Sequence, residues 1–333
     1  MAKLDNVRIA VDAMGGDGGI ATVVAGVELA LDADPSLNII LVAPRSELEA
    51  IATVTDKHRA RLETVVAETV LSPGANTAQA VRRGKGSSMW MALELLENGG
   101  AEGVVSGGST GALMALSRHL LGTLPGVERP ALMGAIPTVD QPAWMLDLGA
   151  NVNVDARRLL EFAQIGHVAC KVLQGKGPRI GLLNIGTEPG KGPDVIREAA
   201  RLIEAEPSLN YTGFVEADQV FNGSIDLVVC DGFAGNVLLK SAEGAVRLLF
   251  SSLRDGLKGS LGGWMARGRL RELHDRLDPA RHNGAPMLGV RGTVIKSHGS
   301  TCARGFSRAI QLAALQARRD LVTQLESQLW ASY

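Results

Sequence analysis

Residues 7–19 have the sequence VRIAVDAMGGDGG, in which a short aliphatic run ends at an aspartate and passes directly into a glycine-rich turn. The aliphatic run has the length of a buried strand, and the glycines after it predict a tight turn. The same order of short aliphatic run, glycine-rich turn and helical stretch recurs along most of the chain. This alternation predicts parallel strands joined by helices.

Loops of this kind follow most of the predicted strands. The predicted strands are Val7–Asp12, Leu37–Val42, Gly103–Ser106, Trp144–Leu148, Arg179–Asn184, Ile225–Cys230 and Thr293–Ile295. Six glycine-rich loops follow them, namely Ala13–Gly19, Gly107–Ala112, Gly149–Asn153, Ile185–Gly192, Asp231–Asn236 and Lys296–Thr301. Because the loops after parallel strands lie at one edge of a sheet, we expect all six to line one cleft. We predict an α/β fold with a mostly parallel sheet and helices on both faces, forming one interwoven unit over residues 1–333 with two lobes.

Composition limits the classes of function. The 333 residues include 46% hydrophobic and 21% charged residues, which is ordinary for a folded globular chain. A net charge of −1 argues against broad nucleic-acid binding. Cys170, Cys230 and Cys302 lie far apart, which predicts reduced thiols and not a disulfide framework or a zinc site. With neither a secretory leader nor an apolar run of about 20 residues, we expect a cytoplasmic location.

Two segments near the C-terminus have helical periodicity. The spacing predicts one long helix over Ala303–Leu329, with apolar residues at Phe306, Ile310, Ala314, Ala317, Leu321, Leu325 and Leu329. Within residues 246–275, an apolar stripe beginning at Leu249 and flanked by arginines predicts a protruding amphipathic helix. A helix buried in a dimer interface would carry the same pattern, as would a surface that touches a membrane or an acidic protein.

The loop Ser106–Ala112 has the features of an anion site. Its glycines let backbone amides approach a ligand, and the following helix adds its positive end. Ser109 and Thr110 add hydroxyl groups. The loop lacks the Walker sequence, and Asp12–Gly19 lacks the spacing of a dinucleotide fingerprint. Turn formation alone also requires glycine, but its recurrence after six strands favours anion binding.

Charged and polar candidates each have an ordinary structural alternative. Lys191 can place an ammonium over a phosphate, although most single loop lysines are simply solvated. His298 can donate to a phosphate, act as an acid, or bond a backbone carbonyl. Asn236 can bond an oxygen of the substrate or cap a helix. The same capping alternative applies to the loop carboxylates Asp12, Asp17, Asp147, Glu188 and Asp231.

Seven motifs taken together resemble one family. In order along the chain they are AVDAMGGD (10–17), SGGSTGALM (106–114), RPAL (129–132), LDLGANV (146–152), GLLNIGTE (181–188) with Lys191 and Gly192, DGFAGNV (231–237) and IKSHGS (295–300). The chain resembles the acyl-carrier-protein:phosphate acyltransferases of bacterial phospholipid synthesis (PlsX) over nearly its whole length. Two positions depart from the usual family pattern. Ser109 replaces an asparagine, and Gly18–Ile20 replaces His-Ala-Pro.

This resemblance implies a reaction and a set of partners. The reaction is transfer of a long-chain acyl group from acyl carrier protein to inorganic phosphate, giving acyl phosphate. A homodimer, no nucleotide cofactor, and a fold like isocitrate dehydrogenase and phosphotransacetylase are also implied. We expect no metal, because amides and short donors of the glycine loops, with one or two cations, can serve the reaction. Peripheral contact with the inner face of the membrane follows from delivery of the product to a membrane acyltransferase. On the amphipathic segment, we expect membrane or carrier-protein contact at Leu257, Leu261, Trp264 and Arg267.

The resemblance also guides the choice of site residues. We predict that Lys191 and Asn236 lie closest to the reaction and that His298 helps orient the substrates. The predicted phosphate- and substrate-binding residues are Asp12, Gly15, Gly16, Asp17, Gly108, Ser109, Thr110, Gly111, Asn151, Gly186, Thr187, Glu188, Asp231 and Gly232. Direct transfer to phosphate is expected, because none of the three cysteines lies beside an evident base in sequence, and Cys302 near His298 is the one to check.

Other functions remain compatible with parts of this pattern. A phosphotransacetylase-like enzyme that acts on coenzyme A thioesters shares the fold and the chemistry and differs in its donor. A β-decarboxylating dehydrogenase shares the architecture, but the chain lacks a clear nucleotide fingerprint and a metal-binding acid cluster. A regulator that binds phosphate or carrier protein without catalysis is the alternative from another class.

Overall fold

A computed structural model describes residues 6–51, 55–72, 74, 77–258 and 261–330. Its strands are β1 Val7–Asp12, β2 Leu37–Pro44, β3 Leu62–Ala67, β4 Gly103–Ser106, β5 Ala131–Ile136, β6 Ala143–Leu146, β7 Ile180–Leu183, β8 Tyr211–Val215, β9 Leu227–Val229, β10 Ala285–Leu288 and β11 Val294–Lys296. Its helices are α1 Gly19–Ala33, α2 Arg45–Ile51, α3 Thr77–Arg83, α4 Ser88–Glu97, α5 Thr110–Leu120, α6 Ala156–Gln174, α7 Asp194–Glu204, α8 Gly232–Leu257, α9 Leu261–Leu277, α10 Ala303–Arg318 and α11 Leu321–Trp330.

A single sheet runs through the described residues in the order β3-β2-β1-β4-β11-β10-β5-β6-β9-β7-β8. Strands β1, β2, β3, β4 and β11 are mutually parallel and form what we call the first set. Strands β6, β7, β8 and β9 are mutually parallel and form the second set. All seven strands expected from the sequence are present, and the α/β fold with a mostly parallel sheet is confirmed.

Helices cover both faces of the sheet because alternate residues of its strands are buried on opposite sides. In β1, Ile9 and Val11 pack with α1 and α10, whereas Ala10 between them packs with α4 and α5. The second set packs with α6, α7 and α11 on one face. On its other face it contacts Leu238 and Leu239 of α8.

The two sets run in opposite directions. Antiparallel pairings join β11 to β10, β10 to β5, and β5 to β6, so the direction reverses three times between the sets. The loops after β1, β4 and β11 therefore lie at one edge of the sheet, which we call the first edge. The loops after β6, β7 and β9 lie at the opposite, second edge. The expectation that all six glycine-rich loops share one edge is wrong for this reason.

The C-terminal segment forms two helices, and the prediction of one continuous helix is wrong. Asp320, between α10 and α11, has a left-handed backbone with φ of 49°. Arg319 Nη1 turns back to donate hydrogen bonds to Val172 O and Leu173 O at the end of α6. Helix α10 packs on the first set, whereas Leu321 and Leu325 of α11 pack on the second set.

The predicted amphipathic segment is also divided. Helix α8 ends at Leu257 and α9 begins at Leu261, so the apolar stripe does not continue along one helix axis. Leu248 and Leu249 on the last turns of α8 are exposed. The Phe250 ring contacts the His274 ring of α9, with centroids 4.8 Å apart.

Candidate active site

The end of β1 carries a buried carboxylate. Asp12 is 1% exposed, and its Oδ2 accepts a hydrogen bond of 2.6 Å from Ser106 Oγ at the end of β4. The bond forms because Asp12 and Ser106 are partners in the parallel register of the two strands. Ser106 Oγ also accepts the backbone N–H of Gly108 at 3.1 Å. Burial raises the pKa of Asp12 above its usual value, and hydrogen bonds from Ser106 and Ser88 oppose this shift.

The loop after β1 lies directly against the loop after β4. A Cβ atom added to Gly107 would lie 2.0 Å from Gly15 O, and one added to Gly15 would lie 2.3 Å from Gly108 N. Glycine is therefore required here by close approach of two backbones. Asp17 N donates to Gly299 O at 2.8 Å, so the loop after β11 joins the other two at the first edge.

Three predicted anion-binding residues lie where α5 begins. Ser109 is the residue that precedes the helix, and its side chain makes no capping hydrogen bond. Thr110 and Gly111 are the first two residues of α5, and all three are half-buried. The first amide groups of a helix have no partner within the helix, so this end of α5 can donate to an anion.

A half-buried lysine stands at the end of β11. Lys296 Nζ donates to Gly107 O at 3.2 Å and also to Ser297 O, which ties β11 to the loop after β4. Burial is the main cause that lowers the pKa of Lys296 to about 8, while the carboxylates of Asp12 and Asp17 oppose that shift. The first edge therefore holds a cation beside the glycine loops.

The loop that follows Lys296 is fixed by hydrogen bonds to the buried side chain of Asn283. His298 N donates to Asn283 Oδ1 at 2.9 Å. Asn283 Nδ2 donates to Ser297 Oγ and to Gly305 O, each at 2.8 Å. The His298 ring is left at the surface of the loop, where its Nε2 lies 2.6 Å from Lys240 Nζ of α8. Partial burial lowers the pKa of His298, and Lys240 lowers it further.

The second edge is organised by another buried carboxylate. Asp147 follows β6 and is fully buried, with Oδ1 accepting from Leu132 N at 2.9 Å and from Ala150 N at 3.3 Å. Its Oδ2 accepts from Asn151 N at 2.6 Å and from Asn151 Nδ2 at 3.1 Å. Burial raises the pKa of Asp147, and these donors oppose the shift. The predicted ligand residue Asn151 is itself buried and also donates to Pro130 O.

The loop after β9 packs on this arrangement and begins α8. Asp231 caps the helix by accepting from Ala234 N at 2.7 Å, which is the structural role that its position also predicted. Gly232 N donates to Asn151 O at 2.8 Å. Asn236, one turn into α8, is exposed and stands next to Gly149, where an added Cβ would lie 3.6 Å from Asn236 Cβ.

The loop after β7 holds the predicted catalytic lysine. Its backbone is fixed because Asn184 Nδ2 donates to Lys191 O at 3.2 Å and Lys191 N donates to Glu188 O at 3.0 Å. The side chains of Lys191, Thr187 and Glu188 are exposed. The stem of Lys191 lies over Gly186, where an added Cβ would be 2.9 Å from Lys191 Cγ.

The structure thus groups the predicted residues by edge. Asp12, Gly15, Gly16, Asp17, Gly108, Ser109, Thr110, Gly111 and His298 lie at the first edge. Asn151, Asp231, Gly232 and Asn236 lie together at the second edge, with Gly186, Thr187, Glu188 and Lys191 in the neighbouring loop. Helix α8 connects the edges, because Asn236 faces Gly149 and Lys240 reaches His298. Among the described residues, no hydrogen bond or ion pair joins Lys191 to Asn236 or His298.

Comparisons with known proteins identify the family of this arrangement. A family model described as fatty acid synthesis protein matches residues 7–324. A phosphate acyltransferase of Pseudomonas putida is 46% identical over 326 residues, covering 96% of this chain and 97% of the relative. One of Pseudomonas syringae pv. tomato is 46% identical over 327 residues, covering 96% of each. The chain belongs to the phosphate acyltransferase family. It is an acyltransferase, and membership of this family indicates that phosphate accepts the acyl group.

Solved structures with the same fold include two phosphotransacetylases. The enzyme from Streptococcus pyogenes matches with a TM-score of 0.63 at 19% identity, covering 94% of each chain. The EutD phosphotransacetylase of Staphylococcus aureus matches with a TM-score of 0.60 at 16% identity, also covering 94% of each chain. At these identities the likeness confirms the fold of this phosphate acyltransferase family member.

Several polar residues of the site escaped the sequence-based prediction. Ser106 begins the predicted anion loop, but nothing in the sequence indicated its bond to Asp12, which depends on the pairing of β1 with β4. Asn283 follows a short 3-10 helix and lies outside every glycine-rich loop. Lys240 lies inside α8, but it follows Asn236 by four residues, so a search for polar residues on the same helix face would have found it. Ser300 belongs to the IKSHGS motif and was passed over for His298.

The segment predicted to contact a membrane or carrier protein is only partly described. Leu257 is half-buried at the end of α8, and Arg267 on α9 is exposed. The side chains of Leu261 and Trp264 lie outside the part of the chain that the structure describes. In that part, no helix has the length and apolarity needed to cross a membrane. The described residues also contain no group of three or more histidine, cysteine or acidic side chains placed to bind a metal.

Proposed function

We propose that this acyltransferase transfers a long-chain fatty acyl group from acyl carrier protein to inorganic phosphate, giving acyl phosphate for phospholipid synthesis. The observation that carries the phosphate half of the proposal is the convergence of three loops at the first edge. There, backbone amides at the start of α5 lie beside the Asp12–Ser106 pair and the Lys296 ammonium. Amides at a helix start together with a cation are suited to a phosphate anion.

In the proposed reaction an oxygen of hydrogen phosphate attacks the thioester carbonyl carbon, and a C–O bond forms. The tetrahedral oxyanion then collapses, the C–S bond breaks, and the leaving thiolate accepts the proton that phosphate carried. Because phosphate is already anionic near neutral pH, the main needs are to remove its water, aim it, and stabilise the oxyanion. Fixed amides and short hydroxyl donors meet these needs without a strong base.

The roles of individual residues are part of the proposal. Asn236 presents an exposed amide that can donate to the carbonyl oxygen as its charge develops. Lys191, in the neighbouring loop of the second edge, carries a mobile ammonium that can act on the same developing charge. Ser109 and Thr110 would orient the phosphate at the start of α5. The Nε2 atom of His298 faces the Lys240 ammonium, so we assign this histidine an orienting role and no acid step.

Direct transfer remains our proposal for the acyl group. Cys170 and Cys230 are buried, and burial raises the pKa of both thiols, which suppresses the thiolate that would be needed for a covalent intermediate. Cys302 is exposed and precedes α10. Among the described contacts, none joins its sulfur to His298.

A carrier-protein donor is favoured by charge next to the first edge. A surface depression of about 520 Å³ is lined by three arginines and a histidine, among other residues, namely Arg281, Arg304, Arg308 and His282. Arg304 and Arg308 lie on the first turns of α10, just after the loop that holds His298. Arg304 also pairs with Asp275 at 3.6 Å and Asp278 at 4.0 Å, so in the described part of the chain Arg281 and Arg308 carry most of the unpaired positive charge. Such a charge suits an acidic carrier protein and would speed its encounter with the enzyme.

We further propose a cytoplasmic homodimer with peripheral membrane contact through the end of α8 and the start of α9. Exposed Leu248 and Leu249 on α8 and exposed Arg267 on α9 support contact with an anionic lipid surface. Light scattering on the purified protein tests the dimer, and a monomer at micromolar concentration would contradict it. Flotation with anionic vesicles tests the contact, and protein that stays below the lipid would contradict it.

The acyl transfer itself is tested by trapping acyl phosphate as a hydroxamate. Purified protein is mixed with phosphate and either palmitoyl-acyl carrier protein or palmitoyl-coenzyme A. We expect product mainly from the carrier-bound donor. Product mainly from the coenzyme A thioester would assign a phosphotransacetylase-like activity instead. No product from either donor, with folded protein, would contradict the proposal and favour a binding regulator.

The same assay tests the placement of Lys191. Its exposed side chain makes no described hydrogen bond, so Lys191→Ala should change the free energy of unfolding by less than about 0.5 kcal/mol. We expect that variant to lose turnover. Lys171→Ala on α6, another exposed lysine, is the control and should keep it. Normal turnover in Lys191→Ala would remove the assignment and leave the donor question untouched.

A further inference from the structure

Four polar side chains form a continuous series from α8 to the loop after β11. Glu243 Oε2 lies 3.0 Å from Lys240 Nζ, and Lys240 Nζ lies 2.6 Å from His298 Nε2. His298 Nδ1 lies 2.9 Å from Ser300 Oγ. The series starts at Glu243, about two helical turns beyond Asn236, and ends at the exposed Ser300 hydroxyl at the first edge.

The directions of these hydrogen bonds are fixed by chemistry. An ammonium group has only donors, so Lys240 must donate to His298 Nε2. Nε2 can accept only if it carries no proton, so the imidazole is neutral and its single proton is on Nδ1. Nδ1–H then donates to Ser300 Oγ at 2.9 Å. Because that oxygen is the acceptor in this bond, its own O–H is turned away from the ring and toward solvent. Ser300 N also lies 3.3 Å from Nδ1, and this longer contact cannot be a hydrogen bond in this tautomer. We assign the tautomer from the Lys240 contact, because a charge-assisted bond of 2.6 Å is much the stronger of the two.

We propose that Lys240 is a positioning residue that holds His298 in its Nδ1-protonated neutral form and thereby orients the Ser300 hydroxyl as a donor to the phosphate or to the oxyanion. The inference rests on the proposed acyl transfer to phosphate. It adds two residues to the site, with Ser300 in contact with the substrate and Lys240 acting through His298.

The surroundings of His298 agree with this arrangement. The charged groups that face it are Lys240 and Glu243 on α8, Lys296 on β11, and Asp17 in the loop after β1. Partial burial and then Lys240 lower the pKa of the imidazole, and both favour its neutral form. The backbone below is fixed by Asn283, so the ring and Ser300 are carried on a rigid loop.

The tautomer can be measured without any substrate. Two-bond correlation of ring protons and nitrogens in ¹⁵N-histidine-labelled protein at pH 7 distinguishes Nδ1–H from Nε2–H, and His298→Gln identifies the signal. We expect a protonated Nδ1 in the wild-type protein and in Lys240→Arg, and a shift toward protonated Nε2 in Lys240→Met. A wild-type ring with protonated Nε2, or a charged ring, would overturn the proposal.

Kinetics test the role of the hydroxyl. We expect Ser300→Ala and Lys240→Met each to weaken the use of phosphate, measured as kcat/KM, by about tenfold or more, and Lys240→Arg to restore most of the loss. The double variant should be no worse than the poorer single variant, because both act through one donor. Arg247→Met is the matched control, since Arg247 also contacts Glu243 from α8 but does not reach His298.

The outcomes separate this inference from the proposed function. If the wild-type protein forms no acyl phosphate, the acyl-transfer proposal fails, and the inference about Ser300 fails with it. If the protein is active but Ser300→Ala keeps wild-type kcat/KM for phosphate, only the inference is overturned. Independent, multiplicative losses in the double variant would also overturn it, because they would show that Lys240 acts through a different route.

Discussion

The contact between the loops after β1 and β4 can be tested by adding one methyl group. In Gly107→Ala the new Cβ would lie 2.0 Å from Gly15 O and 2.9 Å from Gly15 C. Both atoms belong to the backbone, so no change of side-chain rotamer can relieve the overlap. The substitution therefore perturbs the approach of the two loops and leaves every existing side chain in place.

The size of the effect follows from that clearance. Ordinary contact for a Cβ atom begins near 3.4 Å, so the loops must separate by at least about 1 Å. Overpacking a dense site costs about 1–3 kcal/mol, and we expect the upper end because backbone is forced to move. The same displacement would move the amides at the start of α5, and misplacement by about 1 Å costs on the order of 100-fold in rate.

Urea unfolding followed by circular dichroism measures the free energy of unfolding, and the hydroxamate assay measures kcat/KM. Gly244→Ala in α8 is the control, because its Cβ would meet no atom within 4 Å. Replacing a helical glycine by alanine there should stabilise the protein by about 0.5–1 kcal/mol without loss of turnover. Wild-type stability and turnover in Gly107→Ala would refute the close approach of the two loops.

Three other perturbations address the cations, the second edge and the donor. Because the pKa of Lys296 is lowered to about 8, its ammonium is lost as the pH rises above 8. The kcat/KM should therefore fall with an apparent pKa near 8, and the pH profile of Lys296→Met should lack this fall. Asp147→Asn replaces one acceptor oxygen by a donor that faces buried N–H groups. Urea unfolding should therefore show that the free energy of unfolding falls by about 2–4 kcal/mol. Wild-type stability would contradict the described hydrogen bonds. The double variant Arg304→Glu/Arg308→Glu should raise the KM for the carrier-bound donor about tenfold and leave the KM for the coenzyme A donor unchanged. The control variant Arg201→Glu should change neither KM.

Much of the fold was predictable because its signals are local. Strands β1 and β4 have the predicted bounds, since each is a short aliphatic run that is buried on both faces and followed by glycine. Strand β3 was missed because its residues LETVVA include polar side chains on an outer strand of the sheet. Strands β5, β8 and β10 were missed because none of the six predicted glycine-rich loops follows them.

The loops that form the candidate site could be predicted from the sequence, but the contacts between those loops could not. In the sequence, Gly15 and Gly107 were explained by the need for tight turns. The structure shows a different reason, because at these positions the backbones of two loops are in direct contact. The four-residue spacing places Lys240 on the helix face of Asn236, but nothing in the sequence joins it to His298. Only the crossing of α8 from one edge to the other brings it to His298, 58 residues away along the chain.

The sequence by itself determined the class of fold, the positions of the glycine-rich loops and the family, because strand length, helical period and turn chemistry depend on neighbouring residues. Tertiary structure alone decided that the loops occupy two opposite edges, that the C-terminal segment bends at Asp320, and that Asp12 meets Ser106. These features depend on which strands pair. Strand pairing joins residues that are far apart in the chain. It uses backbone hydrogen bonds that almost every residue type can make, so no local sequence pattern specifies which strands pair.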